Sequence, residues 1–182
     1  VAVGSGSVGG GNDEALWTYS DGTATASKVA QVYFSGQTGT RYLVETKISN
    51  LLPSNVSTDR DKKASIIIAG YDNGSLQRQA IFLDQDNNLV RLWKSGTWDQ
   101  TNQITNNTLD LKMEGHTLTV VRDGVDAYVF LDGAFIMKME IPYEGEAAFG
   151  FQTLGCGATY SEYKYSFNND LIDALIASTN QL

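Results

Sequence analysis

An arginine and a tryptophan two positions apart give the strongest chemical signal, in the segment Leu89–Lys94. Successive side chains of a strand point to opposite faces, so Arg91 and Trp93 share one face. The apolar Val90 and Leu92 share the other face, which predicts that they face a core. An indole ring stacks on the apolar face of a sugar, while a guanidinium donates hydrogen bonds to hydroxyls. The pair predicts a glycan-binding surface; alternatively, Trp93 packs across the sheet with Arg91 lying over it.

A second tryptophan, Trp98, lies in the polar stretch 95–107, which is predicted to be a long loop. A large aromatic side chain exposed in such a loop costs solubility, so it either binds a ligand or folds back over the sandwich end. Tyr71 and Asp72 follow an apolar segment and are predicted to lie at the same rim.

The same alternation predicts that Glu45 and Gln152 point outward from their strands. Tyr160 is also predicted outward, because it lies out of phase with Tyr163 and Tyr165, which are expected in the core. If these strands belong to one sheet, the cleft on that sheet is lined by Glu45, Arg91, Trp93, Gln152 and Tyr160.

Catalytic and metal-binding groups are poorly represented. Glycoside hydrolysis requires two carboxyl groups about 5–10 Å apart. Glu140, Glu144 and Glu146 come closest, but the proline and glycine among them indicate a solvated turn. His116 and Cys156 are the only residues of their types, so neither a thiol nucleophile nor a transition-metal site is expected. The sequence therefore predicts a protein that is not an enzyme.

Calcium is the one cofactor that the oxygen-rich turns could hold as a structural ion, at 59–61, 72–73 and 84–87. The alternative is that the aspartate and asparagine side chains stabilise these turns by bonding to their own backbone. No other cofactor is expected.

The overall charge narrows the range of partners. The chain has 182 residues, a formal net charge of -8 and a pI near 4.5. Such an acidic chain has no electrostatic reason to bind a phosphate backbone, so nucleic acid is not an expected partner. No apolar run is long enough for membrane insertion. Scarce lysine and abundant small polar residues are typical of secreted or surface-attached bacterial modules, which predicts an extracellular location.

Short β-rich segments separated by turn signals predict the fold class. About a dozen of them indicate an all-β antiparallel β-sandwich or jelly roll with a short C-terminal helix. Residues 1–13 are rich in glycine and serine, which predicts a flexible linker or tag remnant. Residues 14–167 form the predicted sandwich. Residues 168–182 form a predicted helix and tail with one apolar stripe, which either packs on the sandwich or contacts a partner.

The hairpin region 115–133 has the spacing His-x-x-x-Val-x-Arg-x-Gly, followed by an apolar strand ending in Leu-Asp-Gly. This pattern resembles the late hairpins of concanavalin A-like and laminin-G-like β-sandwiches. Further matching segments occur in the same order over residues 15–167: Tyr42–Ile48, Ile81–Asp84, Leu89–Leu92 and Phe149–Gln152. The resemblance implies a superfamily rich in non-catalytic glycan binders, in which calcium at the rim is common. The Glu-x-Asp-x-x-Glu motif of the related β-glucanases is missing.

These observations predict a non-catalytic carbohydrate-binding module that recognises a glycan or polysaccharide by aromatic stacking and polar contacts. Other domains of a multidomain enzyme or surface protein are expected as further partners. One alternative is an adhesin or scaffold domain that binds a protein. The other is a glycoside hydrolase with an unfamiliar carboxylate pair.

Overall fold

A computed structural model describes residues 3–4, 17–20, 22–26, 30–53, 63–70, 79–85, 87, 89–94, 97–105, 115–154 and 156–181. Within them the chain forms fourteen strands, one α-helix and a terminal 3-10 turn at Thr179–Gln181. The first seven strands are β1 (Val3–Gly4), β2 (Trp17–Ser20), β3 (Thr23–Ala26), β4 (Ala30–Gly39), β5 (Arg41–Pro53), β6 (Lys63–Gly70) and β7 (Gln79–Asp84). The remaining elements are β8 (Leu89–Lys94), β9 (Thr97–Thr105), β10 (His116–Asp123), β11 (Asp126–Leu131), β12 (Ala134–Glu140), β13 (Ala147–Leu154), β14 (Cys156–Ser166) and α1 (Asn169–Ser178).

The strands form two seven-stranded antiparallel sheets. The first sheet has the order β1-β4-β13-β6-β7-β8-β9, and the second has the order β12-β11-β10-β5-β14-β3-β2. Strands distant in sequence lie side by side in both sheets, as with β13 between β4 and β6. The predicted all-β sandwich is confirmed. Within the predicted linker, Val3 and Gly4 pair with Phe34 and Tyr33.

Aromatic side chains from both sheets fill the core between them. Phe34 lies 5.3 Å from Phe151 and 4.9 Å from Tyr165, measured between ring centroids. Tyr42 stacks on Phe149 at 4.3 Å. Each fully buried ring contributes roughly 1.5–3 kcal/mol through removal of apolar surface from water. Gly150 allows the close approach of β13 to β4, because a Cβ there would lie 2.0 Å from the Val32 carbonyl oxygen.

The hairpins from β10 to β12 follow the prediction. Asp123 pairs with Asp126 around Gly124, which has a φ of 62°. Asp132 and Gly133 both have positive φ, 50° and 84°, which suits a tight two-residue hairpin turn.

The prediction that residues 95–107 form a long loop is wrong. Residues 97–105 form β9, whose Trp98 pairs directly with Trp93 of β8. The strand was missed because the segment is polar and has only moderate β-propensity. Pairing with the buried neighbouring strand β8 stabilises it.

Helix α1 packs on the outer face of the second sheet. Its N-cap is Asn168, whose side-chain oxygen accepts a hydrogen bond from the Leu171 amide at 3.1 Å. Ile172 is buried against Leu43, Val121 and Phe130. The predicted helix is therefore present.

One arginine joins the start of α1 to the sheet. Arg41 donates hydrogen bonds to Asp123 at 3.2 Å, Asn169 at 2.7 Å and Asp173 at 2.5 Å. The hydrogen bond to Asp173 is the main reason that the pKa of Arg41 is raised. The helix is thus held by an apolar contact in the middle and by polar contacts at its N-terminal end.

Candidate functional site

The hairpin of β8 and β9 brings two tryptophans together on the outer face of the first sheet. Val90 and Leu92 are fully buried in the core, so the alternation of β8 leaves Arg91 and Trp93 on the opposite face. The rings of Trp93 and Trp98 are edge-to-face with centroids 4.8 Å apart. Both are partly exposed. The two indoles therefore neither fill the core nor lie free in solvent, and part of their apolar surface remains accessible to a ligand.

Arg91 lies against this pair. Its guanidinium carbon is 3.7 Å from the centroid of the Trp98 ring, within the range of a cation–π contact. Arg91 Nη2 donates to Asp84 Oδ2 at 2.5 Å. We call Phe82, Arg91, Trp93 and Trp98 the tryptophan cluster. Phe82 forms its base, 5.2 Å from Trp98 and edge-to-face with it.

The carboxylate that fixes Arg91 is itself buried. Asp84 ends β7 and has no exposed surface. Besides Arg91, it accepts a hydrogen bond from the Asn87 side-chain amide at 2.9 Å and lies 3.8 Å from Lys63 Nζ. A buried carboxylate needs such partners, because leaving it unpaired costs several kcal/mol. Asp84 therefore orients the guanidinium on Trp98.

Arg91 retains hydrogen-bonding capacity. Its side chain is 12% exposed, and Nε is buried with no hydrogen-bond acceptor among the described residues. A guanidinium has five N–H donors, and within the described residues Arg91 uses one of them, for the bond to Asp84. The buried Nε cannot reach a ligand, but the terminal nitrogens of the guanidinium can donate to an oxygen of a ligand on the neighbouring indoles.

The outer face continues across the sheet as a mixed apolar and polar surface. Tyr33, Ile67 and Ala80 form a buried cluster with Phe82, against which both indoles pack. Lys94 Nζ pairs with Asp99 Oδ2 at 3.4 Å beside the hairpin turn. The tryptophan cluster thus rests on a rigid base instead of a mobile loop.

Gln152 lies on the same face but at a distance from the cluster. It pairs with Ser65 and Gln31, and Ser65 pairs in turn with Phe82. Three strand spacings separate β13 from β8, or about 14 Å. Gln152 is 5% exposed, and its Oε1 is buried without a hydrogen bond from any described residue.

Tyr160 is in the core and not on an outer face, so the prediction of its orientation is wrong. It is fully buried and stacks on Phe151 with ring centroids 4.3 Å apart. Its hydroxyl contacts the carbonyl oxygens of Gln152 at 2.8 Å and Ser65 at 3.0 Å. The reason is a bulge in β14 at Glu162, where φ is 51° and the register shifts. The extra residue allows Tyr160 and Tyr163 to point inward together.

Glu45 is outward as predicted, but it lies on the second sheet. It accepts a hydrogen bond from Thr119 Oγ1 at 2.7 Å and pairs with Lys164 at 3.0 Å. It lines a pocket of about 230 Å³ between this sheet and α1. The prediction that one cleft is lined by Glu45, Arg91, Trp93, Gln152 and Tyr160 is therefore wrong. These residues are divided among the outer faces of the two sheets and the core.

Two predicted site residues, Tyr71 and Asp72, lie outside the described residues. The sequence interpretation missed Phe82 and Asp84 as parts of the site. Both share the alternation phase that faces Arg91 across the β7–β8 hairpin, where Phe82 pairs with Arg91. Counting back from the hairpin turn would have placed them on the same face.

Among the residues that the structure describes, no group of three or more histidine, cysteine, aspartate or glutamate side chains is arranged to hold a metal ion. Of the calcium-type turns, 59–61 and 72–73 lie outside these residues, and Asp84 is engaged by Arg91 and Asn87. No helix in the described ranges is long and apolar enough to cross a bilayer.

Known structures share this architecture at low sequence identity. A carbohydrate-binding module, CBM66, from Bacillus subtilis aligns with a TM-score of 0.65 and 13% identity, covering 82% of this chain and 90% of the module. A proposed glycosyl hydrolase from Parabacteroides distasonis aligns with a TM-score of 0.62 and 8% identity, covering 92% and 88%. The Caenorhabditis elegans galectin LEC-6 aligns with a TM-score of 0.51 and 14% identity, covering 78% and 95%. No protein-family model and no curated protein sequence matches the chain.

Proposed function

We propose that this chain, which has the concanavalin A-like lectin and glucanase sandwich fold, is a non-catalytic carbohydrate-binding module. The observation that carries the proposal is the tryptophan cluster on the outer face of the first sheet. Two partly exposed indoles stand beside a guanidinium whose position is set by buried Asp84. Sugar rings would stack on the indoles while Arg91 donates hydrogen bonds to ring substituents.

The fold neighbours support a carbohydrate ligand. They include a carbohydrate-binding module and a galectin as well as a proposed glycosyl hydrolase. Among the described carboxylates beside the cluster, Asp84 and Asp99 are buried and ion-paired with Arg91 and Lys94. General acid–base work needs a carboxyl group that can exchange a proton with substrate, so these two fit binding better than hydrolysis.

The expected setting is extracellular, on a secreted or surface-attached protein in which this module accompanies other domains. Polysaccharides there are large and repetitive, so weak binding at one shallow site is compensated when several sites are joined. A structural calcium ion belongs to the proposal, and a chelator added to the same binding assay tests for it.

Retention on polysaccharide affinity gels tests the proposal. Trp93→Ala and Trp98→Ala should each weaken binding to a retaining polysaccharide about tenfold or more, because removal of a central aromatic anchor commonly costs 2 kcal/mol or more. Tyr19→Ala is the matched control, since it removes a 40% exposed ring from β2 of the second sheet. Asp84→Asn should also weaken binding by releasing Arg91 from Trp98.

Three outcomes are decisive. Unchanged retention of both tryptophan variants on every polysaccharide that the parent binds would remove the assignment of the site. Failure of the parent to bind any glycan on an array, together with recovery of one protein partner by pull-down, would favour an adhesin. Release of reducing sugar would require a hydrolase.

A further inference from the structure

The pocket beneath α1 has the features of a second binding site, on the opposite side of the sandwich from the tryptophan cluster. Its walls are Leu43 and Phe130 from the second sheet and Leu171 and Leu175 from the helix. Its volume is about 230 Å³. Apolar cavities of roughly 150 Å³ bind benzene, so this one accommodates a substituted six-membered ring.

The pocket exists because the helix covers only part of the outer face. Ile172 inserts over Leu43 and Val121, and it is fully buried. Leu171 lies one position earlier on the helix, where it is 44% exposed beside the pocket. A large apolar side chain left exposed at the edge of an apolar pocket gains from any ligand that covers it.

One charged spot and the Ser166 side chain interrupt the apolar walls. Glu45, Thr119 and Lys164 form a row across β10, β5 and β14, in which Thr119 and Lys164 each pair with Glu45 in register. Glu45 Oε1 accepts the Thr119 hydroxyl at 2.7 Å, and Oε2 lies 3.0 Å from Lys164 Nζ. Each carboxylate oxygen has a second lone pair, so Glu45 can accept one further O–H donor from a ligand.

The charges of Glu45 and Lys164 determine which chemical class of ligand the pocket favours. Glu45 and Lys164 neutralise each other, so the pocket offers no net charge to attract an acid or an amine. A free sugar carries a hydroxyl on nearly every carbon, and apolar walls would leave most of those hydroxyls unbonded at high cost. A neutral ring with a single hydroxyl satisfies both the walls and the acceptor.

We propose that the α1 pocket binds a small neutral phenol, with its ring between Phe130 and the helix leucines and its hydroxyl donating to Glu45. The ligand would bridge α1 and the second sheet, so its binding stabilises the docked helix. This proposal does not depend on glycan recognition by the tryptophan cluster.

Titration of the full chain with 4-methylphenol, followed by amide NMR spectra, tests the proposal. Saturable shifts are expected at Leu43–Glu45, at Thr119 and along Leu171–Leu175. Toluene, which has the same ring and lacks the hydroxyl, should bind about tenfold more weakly, because hydrogen bonds to charged acceptors are among the stronger ones. Equal affinity for the two probes, or shifts confined to the tryptophan cluster, would overturn the assignment.

Two helix variants provide the matched control. Leu175→Trp fills the pocket and should weaken 4-methylphenol binding about tenfold or more, through loss of buried apolar area. Ala174→Trp adds the same side chain at an exposed helix position and should leave binding unchanged. Glu45→Gln provides a variant with the pocket volume intact, and it should lower the preference for 4-methylphenol over toluene. Equal binding by the parent and both helix variants would refute the site.

Discussion

Arg122 is an unusual charged residue, because it is fully buried and none of the described carboxylates pairs with it. Its guanidinium instead donates to four backbone carbonyls: Gly124 and Gly39 at 2.9 Å, Tyr143 at 3.0 Å and Gly145 at 2.8 Å. It also lies about 6 Å from the centroid of the Tyr143 ring. The arginine of the hairpin motif thus ties three separate chain segments together at one end of the sandwich.

Arg122→Met should lower the free energy of unfolding by about 3–5 kcal/mol, because it removes the four hydrogen bonds that a fully buried guanidinium makes to the backbone. Urea denaturation measures the loss. Arg41→Met is a useful contrast, since Arg41 is partly exposed and its ion pairs should contribute only about 1 kcal/mol or less. Similar losses for the two variants would contradict a special role for Arg122.

The Tyr160 hydroxyl lies between the backbones of β6 and β13, where it contacts Ser65 and Gln152. Tyr160→Phe should lower the free energy of unfolding by about 1–3 kcal/mol, because those buried backbone groups lose their partner. Tyr163→Phe is the paired control on the same strand and should change stability by no more than about 0.5 kcal/mol. Thermal and urea unfolding of both variants provide the comparison, and equal effects would argue against the cross-sheet hydrogen bond.

At the scale of the element, β8 and β14 differ in how regularly they alternate. In β8, every second side chain points into the core, and the neighbouring residues build the tryptophan cluster. In β14, the shift between Ser161 and Lys164 interrupts that regularity. The bulge places Tyr160 in the core while Tyr163 and Tyr165 still pack against it.

Substitutions at Glu162 test the bulge, because its φ of 51° lies in the left-handed region. Glu162→Gly should leave the free energy of unfolding unchanged or raise it, since glycine adopts this conformation without strain. Glu162→Val should lower it by about 1–3 kcal/mol, because a β-branched residue resists positive φ. If valine were tolerated as well as glycine, β14 would be regular at this point.

At the scale of the whole molecule, the two sheets separate two surfaces of different character. The first sheet carries indoles and a guanidinium, while the second carries a leucine-walled pocket closed on one side by α1. The packed core between the sheets keeps these surfaces apart. Close-packed interiors transmit strain, but sites with no shared contacts usually behave independently.

Independence of the two surfaces is a measurable property. In the double variant Trp93→Ala with Leu175→Trp, the losses of glycan and 4-methylphenol affinity should equal those of the single variants to within about 0.5 kcal/mol. Calorimetric titration of each ligand with the four proteins gives the cycle. A larger interaction energy would show that the sheets communicate through the core.

Local patterns in the sequence were sufficient to predict the sandwich, the hairpins from 116 to 140, the terminal helix and the outward side chains of β8. Each depends on neighbours within a few residues: alternation along a strand, glycine at a turn, or an apolar stripe on a helix. Arg91 and Trp93 were identified as neighbours for the same reason, since their relation lies within one strand.

Relations between strands distant in sequence were decided only by the tertiary structure. Glu45 and Arg91 both point outward, but sheet order places them on opposite sides of the molecule. The alternation of side chains along a strand predicts which residues share a face of that strand. It contains no information about which sheet the strand joins. The inward position of Tyr160 and the strand at 97–105 likewise depend on a bulge and a pairing that are stabilised by contacts with other strands.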